Sequence, residues 1–388
     1  MPVVAPAWAA RRGARVVSEH VGERETAMTA VPVVIGVRSP HPVVTTDPAP
    51  ASQGLVDTHG RVHRDLRISL TDRCSLRCTY CMPEQGNEWL ARTSILSTDE
   101  IVEVAEVAAS LGIRTFRLTG GEPLLRADIV DVVRRVSAIE GDEGPVEVAM
   151  TTNGITLAKH LPDLIDAGLT RLNISIDTVD RQRFADLTRR DRIDDVFEGI
   201  AAAAASELRP LKLNTVAMRG VNDDELPDLV AFAMEVGAQL RFIEQMPLDA
   251  GHTWDRASMV TREEILEKLS ARWDLEPVPG RGGAPAEKWR IDGGPHEVGV
   301  IASVTAPFCG ACDRLRLTAD GQLRNCLFSN AEYDLIGVLR GDGASDSARR
   351  AGGIADMLRS CVHGKLPGHA INDPSFLQPA RGMNAIGG

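Results

Sequence analysis

The sequence predicts an α/β chain in which strands, each followed by a helix, make a parallel sheet curled into a full or partial (β/α) barrel, with a smaller unit behind it. Three observations carry that expectation. From residue 65 onward, six short runs of alternating or β-branched apolar residues end in Gly, Asn, Asp or Pro, as strands do. Between them lie apolar patterns of helical period with their own start and stop residues. After about residue 275 this alternation stops and Gly and Pro become frequent. An open doubly wound sheet is the structural alternative.

Residues 1–55 are rich in Pro, Val, Ala and Thr without a sustained period, and a poorly ordered tail is expected there. The strand runs are 65–71 (DLRISLT), 113–120, 146–153, 170–177, 211–218 and 239–246. The first helix opens on Ser97, a capping residue, and stops at Gly112. Others are expected near 127–140, 156–167, 193–206 and 223–236. Parallel strands joined by helices cross over right-handedly, which makes 56–274 a barrel domain. Residues 275–388 form the smaller C-terminal domain. Chemistry in such folds gathers at the C-terminal strand ends. The loop 74-CSLRCTYC-81, 120-GGEP-123, 151-TTNG-154, Asp177 and Met246 all fall there.

A net charge of −11 over 388 residues argues against a surface built for nucleic acid or anionic membrane. It leaves room for an anionic small substrate held by a local arginine cluster. No run of 18 apolar residues occurs, so no membrane span is expected. The N-terminal arginines follow the apolar stretch instead of preceding it, the wrong order for a secretory signal. A cytoplasmic location is expected.

Six of the seven cysteines form two sets of three, which reads as metal ligation rather than a disulfide framework. Cys361 stands alone and reads as a half-buried free thiol. Cys74-x3-Cys78-x2-Cys81 follows a strand directly. Three thiolates under a four-iron cubane leave one iron open to a ligand. Structural zinc completed by His59 or His63 is the alternative. Cys309-x2-Cys312-x13-Cys326 repeats the pattern, and His296 or Cys361 could complete it only by long-range folding. Arg314 and Arg316 alternate beside it along a strand-like run, so they share a face and suit a polyanion such as a triphosphate. The glycines of GGEP permit a close backbone approach, and a carboxylate suits an ammonium. The terminal RGMNAIGG, alone, reads as a frayed end.

CSLRCTYC resembles the CxxxCxxC loop of the radical S-adenosylmethionine (SAM) enzymes, down to the aromatic Tyr80 before the third cysteine. The resemblance runs from about residue 60 to 388. It takes in DLRISLTDRC, CTYCMP, RLTGGEPLLR, TTNG, NISIDT, RFIEQMP, CDRLRLTADG and the terminal Gly-Gly. That combination is similar to the GTP-cyclising branch of the family, which opens molybdenum cofactor biosynthesis. The resemblance implies a partial (β/α)6 TIM-like barrel of the radical SAM type, a smaller C-terminal iron–sulfur domain and a lyase with two 4Fe–4S clusters that uses SAM.

By that resemblance Cys74, Cys78 and Cys81 hold the SAM-binding cluster, and Cys309, Cys312 and Cys326 hold a second one facing GTP. Tyr80, Gly121, Ser175 and Met246 would contact SAM. Arg67, Arg117, Thr151, Lys212, Arg314 and Arg316 would contact GTP, and Gly387 and Gly388 would support radical initiation. The implied reaction abstracts the ribose 3′ hydrogen of GTP, after which C3′ attacks C8 of guanine. Implied partners are a low-potential electron donor of flavodoxin or ferredoxin type and a downstream cyclic pyranopterin monophosphate synthase. A homodimer is compatible with the resemblance. One departure stands out: relatives carry a lysine where this chain has Thr115, and Arg114 next to it should point to the opposite strand face. The rival readings are a radical SAM enzyme that modifies a peptide, and a non-catalytic iron–sulfur or zinc protein.

Overall fold

The six expected strands form, in sequence order and all parallel. They are β1 (Asp65–Ser69), β2 (Thr115–Thr119), β3 (Glu147–Thr152), β4 (Arg171–Ser175), β5 (Lys212–Ala217) and β6 (Gln239–Glu244) in a computed structural model. It describes residues 54–249, 251–341, 346–374 and 376–387. The expected disordered tail therefore lies almost wholly outside the described residues, as does Gly388.

The expected helices follow the strands: α1 (Thr98–Ser110), α2 (Ile129–Ser137), α3 (Leu157–Asp166), α5 (Ile193–Ala205) and α6 (Leu226–Glu235). Ser97 accepts from the Glu100 N–H while Glu100 returns the bond, so the start of α1 is a capping box. The alternation did not reveal α4 (Arg181–Thr188), a polar helix placed between β4 and α5. Its apolar contribution is confined to Phe184 and Leu187, too little to set a period.

The segment after α7 (Arg262–Ser270) divides between the two edges of the same sheet. Strands β7 (Leu275–Val278), β8 (Glu287–Ile291) and β9 (Glu297–Ile301) extend the β6 side, with β9 parallel to β6. Strands β10 (Arg314–Leu317), β11 (Gln322–Arg324) and β12 (Tyr333–Asp334) extend the other side, with β10 parallel to β1. The full order is β12-β11-β10-β1-β2-β3-β4-β5-β6-β9-β8-β7. Eight parallel strands thus flank the lumen, six from the expected run and two from the C-terminal segment. Glu244, fully buried at the end of β6, accepts the Val304 and Thr305 N–H groups at 2.8 and 2.9 Å and ties the returning chain to the strand.

Side-chain parity decides what the sheet can do. Leu66, Ile68, Phe116, Leu118, Val148, Met150, Leu172 and Ile174 are buried at alternate positions and pack on the outer face, towards the helices. The positions between them carry Arg67, Arg117, Thr151 and Asn173, which line an internal cavity. A barrel interior packed for stability alone is filled with branched apolar side chains. This one is polar. Two further helices, α8 (Leu335–Arg340) and α9 (Ser347–His363), and the short α10 (Met383–Ile386) complete the chain.

Candidate active site

The first cysteine triplet sits in the loop after β1, on the C-terminal side of the strands. Cys81 and Met82 N–H groups both bond the Cys78 carbonyl at 3.0 Å, which winds the loop into a turn. Arg77 returns to the Cys74 carbonyl at 2.7 Å and lies over the Trp89 ring. The Cys74 sulfur accepts from the Leu76 N–H at 3.5 Å and from Asn153 Nδ2 at 3.8 Å. Gly121 allows β2 to end against this loop, since a Cβ there would lie 2.3 Å from the Arg73 carbonyl oxygen. Glu122 accepts from Leu124 N, Thr152 Oγ1 and Asn153 N at 2.7–3.0 Å, so it joins the GGEP and TTNG turns.

The surroundings of this triplet are acidic and buried. Burial raises the Cys74 thiol, and burial with the neighbouring Cys74 pushes Cys81 up to about 12. Cys78 is raised well above its ordinary value by burial and then by Asp177. Burial lifts Glu122 to about 7 and Asp177 to about 6, even though Asp177 accepts from Tyr80 Oη and the Val216 N–H at 2.8 Å. Ser175 is half-buried at the end of β4, two residues before Asp177.

The second triplet borders a cavity of about 380 Å³ inside the barrel, lined by Cys309, Cys312 and Cys326. All six expected GTP residues line it: Arg67, Arg117, Thr151, Lys212, Arg314 and Arg316. The β1–β10 pairing explains their convergence, because Arg67 lies opposite Arg316 and Asp65 opposite Arg314. Arg314 donates to the Cys312 sulfur at 3.2 Å while lying over the Phe308 ring. Lys365 reaches the same sulfur at 3.5 Å. Burial raises the Cys312 thiol, but Arg314 and Lys365 together outweigh it and bring it down to about 7. Met246 lines this cavity as well.

Sequence reasoning missed three further cations on the wall, Arg64, Arg171 and Arg241. The signal was present: Arg171 and Arg241 hold the same strand parity as Asn173 and Ile243, which also line the cavity. Burial, then Arg241, Arg171 and Arg117, lowers Lys212 to about 7. Buried nitrogens of Arg67, Arg117 and Arg314 have no hydrogen-bond partner among the described residues. Unsatisfied guanidinium donors around a polar cavity fit a polyanion. Thr115 lines the cavity, whereas Arg114 pairs with Glu143 outside it, as strand parity requires.

The chain end lies between these two regions. Met383 lines the cavity, and the backbone N–H of the next residue, Asn384, partly offsets the rise that burial imposes on the Cys81 thiol. Gly387 takes φ +84°, a Cβ there would lie 3.0 Å from Ser69 Cβ and 3.1 Å from Thr119 Cγ2, and its carbonyl accepts from Arg316 Nη1. His63, one of the zinc alternatives, is fully buried and engaged with Asp57 at 3.2 Å. Cys361 is fully buried, not half-buried, because it lies on the inward face of α9 together with Ile354 and Leu358. Among the described residues no three His, Cys, Asp or Glu side chains converge on a single ion. A cubane instead spreads its thiolates over separate irons, so the half-buried, N–H-bonded triplets suit a cluster.

This barrel, with three cysteines after its first strand, is that of a radical SAM enzyme. The radical SAM superfamily model matches residues 68–233, and the Molybdenum Cofactor Synthesis C model matches 238–371. A GTP 3′,8-cyclase of Streptomyces coelicolor is 54% identical over 337 residues, covering 86% of this chain and 96% of that protein. One from Corynebacterium glutamicum is 49% identical over 349 residues, covering 88% and 91%. Among solved structures, Streptococcus suis SuiB bound to precursor peptide SuiA has a TM-score of 0.53 at 13% identity, covering 83% of this chain and 76% of that one. That likeness concerns the fold alone. The chain belongs to the GTP 3′,8-cyclase family of the radical SAM superfamily.

Proposed function

We propose that the cavity receives GTP and that the strand-end group around the first triplet receives SAM. The chain is a radical SAM lyase of molybdenum cofactor biosynthesis that cyclises GTP to (8S)-3′,8-cyclo-7,8-dihydroguanosine 5′-triphosphate. SAM and two 4Fe–4S clusters supply its radical chemistry. The observation that carries the residue assignment is the ring of eight basic side chains, against two acidic ones, around one cavity beside Cys309, Cys312 and Cys326.

In this reading Cys74, Cys78 and Cys81 hold the first cluster, and Cys309, Cys312 and Cys326 the second. Arg67, Arg117, Lys212, Arg314 and Arg316 replace the counterions of the triphosphate, with Arg171 and Arg241 adding positive potential at the wall. Thr151, midway along the lumen, bonds a neutral part of the nucleotide. Tyr80, Gly121, Ser175 and Met246 surround SAM, whose cationic groups suit the Asp177 and Glu122 carboxylates. Gly387, whose carbonyl accepts from Arg316, and Gly388 support radical initiation.

The finer partners belong to the same reading: a flavodoxin- or ferredoxin-type electron donor, cyclic pyranopterin monophosphate synthase downstream, and a homodimer. Seven unpaired cysteines support a reducing, cytoplasmic compartment. Among the described residues no helix is long and apolar enough to cross a membrane. Anaerobic incubation of reconstituted protein with GTP, SAM and dithionite should yield the cyclised nucleotide with one 5′-deoxyadenosine per product. Iron-replete protein that cleaves SAM and leaves GTP unchanged would contradict the GTP assignment.

A further inference from the structure

The residues just before the terminal glycines are fixed more firmly than a mobile tail requires. Arg381 pairs with Asp320 at 2.9 Å and with Glu332 at 2.7 Å, and Glu332 is itself held by the buried Arg324. The Met383 N–H bonds the Leu248 carbonyl at 3.1 Å. Ile386 packs in an apolar cluster with Leu248, Val304 and Phe328. These contacts deliver Asn384, 3% exposed, to the cysteine loop.

Asn384 uses both ends of its amide there. Its Oδ1 accepts from Asn87 Nδ2 at 3.1 Å, beyond the third cysteine, and its Nδ2 donates to the Asp72 carbonyl at 3.1 Å, before the first. The side chain therefore bridges the two flanks of the segment that carries Cys74, Cys78 and Cys81. Its backbone N–H lowers the Cys81 thiol, against the larger effect of burial. Hydrogen bonds to ligating sulfurs stabilise the more negative, reduced state of a cluster and raise its potential.

We propose that Asn384 is a positioning residue that sets the redox environment of the first cluster by clamping the two flanks of the cysteine loop. The assignment rests on the reading that Cys74, Cys78 and Cys81 hold that cluster. It gives the residue three positions before Gly387 a role at the radical source in addition to that of the glycines.

The test is a redox titration of the reconstituted full-length enzyme, followed by electron paramagnetic resonance with SAM present, which marks the first cluster by perturbing its signal. Asn384→Pro removes both the clamp and the N–H at a first-turn helix position where proline is tolerated. Asn384→Ala removes the clamp alone. The expected result is a more negative midpoint for the SAM-sensitive signal in both variants, larger for proline. The other signal, the iron content and the thermal midpoint should be unmoved. An unshifted SAM-sensitive midpoint at full iron content in both variants overturns the proposal. Wild-type protein that takes up iron without any SAM-sensitive signal would overturn the underlying cluster reading instead.

Discussion

The two cysteine triplets share a spacing logic but sit in opposite electrostatic surroundings. Around Cys74, Cys78 and Cys81 the neighbours are Glu122 and Asp177, and burial holds the thiols well up, Cys81 at about 12. Around Cys309, Cys312 and Cys326 the neighbours are Arg314, Arg316 and Lys365, and Cys312 is brought down to about 7. In the proposed assignment each open iron is thereby paired with a field that suits its ligand: carboxylates for the cationic groups of SAM, guanidiniums for a triphosphate. The difference also bears on assembly. Ligating thiols must lose their protons, so the first triplet, and Cys309, which burial raises, rely on the metal itself to deprotonate them, while Cys312 is about half-way there at neutral pH.

The harshest test of this division removes one triplet at a time. Cys74→Ala/Cys78→Ala/Cys81→Ala should halve the iron and abolish both 5′-deoxyadenosine and cyclised product. Cys309→Ala/Cys312→Ala/Cys326→Ala should also halve the iron and abolish cyclisation, yet leave reductive SAM cleavage measurable. Iron analysis with chromatography of both products reads the result. Loss of SAM cleavage in the second variant at half iron content would merge the two sites into one functional unit.

A milder break separates the ligands while leaving all six cysteines in place. Arg314→Ala and Arg316→Ala each remove charge-assisted contacts of about 1.5–3 kcal/mol, roughly a 10- to 100-fold loss in GTP affinity. SAM affinity should stay within a factor of two or so. Calorimetric titration of each ligand checks both halves. Equal losses for GTP and SAM would show that the two fields are not separate.

How much of this was readable beforehand depended on the kind of signal. The six barrel strands announced themselves because their apolar positions alternate and each ends in a turn residue. The cysteines and the Arg314/Arg316 pair were local in sequence. What escaped was long-range: the C-terminal segment splits to both edges of the sheet, so β10 lies beside β1 and Arg316 opposite Arg67. No local pattern encodes that register. Arg241 and Arg171 were missed for another reason. Alternating strands were read for their apolar face, while the polar face, which in a barrel points inward, carried the site. The tail failed in the same way, since Gly-Gly looks frayed until Arg381 and Asn384 are seen to be anchored.

The smallest effect concerns Lys212, and it sharpens the cationic side of the comparison. Burial disfavours its ammonium, Arg241, Arg171 and Arg117 repel it, and Glu147 only partly offsets them, leaving the free-site value at about 7. A bound triphosphate favours the ammonium and must raise that value. Between pH 7 and the higher value in the complex, binding therefore takes up a proton. GTP affinity should fall as pH rises through this window, by at most about tenfold per unit, and the dependence should vanish below it, where the lysine is already charged. Calorimetry at pH 8 in phosphate and in Tris should return different apparent enthalpies, because the buffer supplies the proton. Lys212→Met should abolish that buffer dependence, and the nucleotide's own titration is common to both proteins. A buffer-independent enthalpy in the wild-type protein would mean that Lys212 does not change protonation on binding, and that the guanidiniums carry the phosphate field without it.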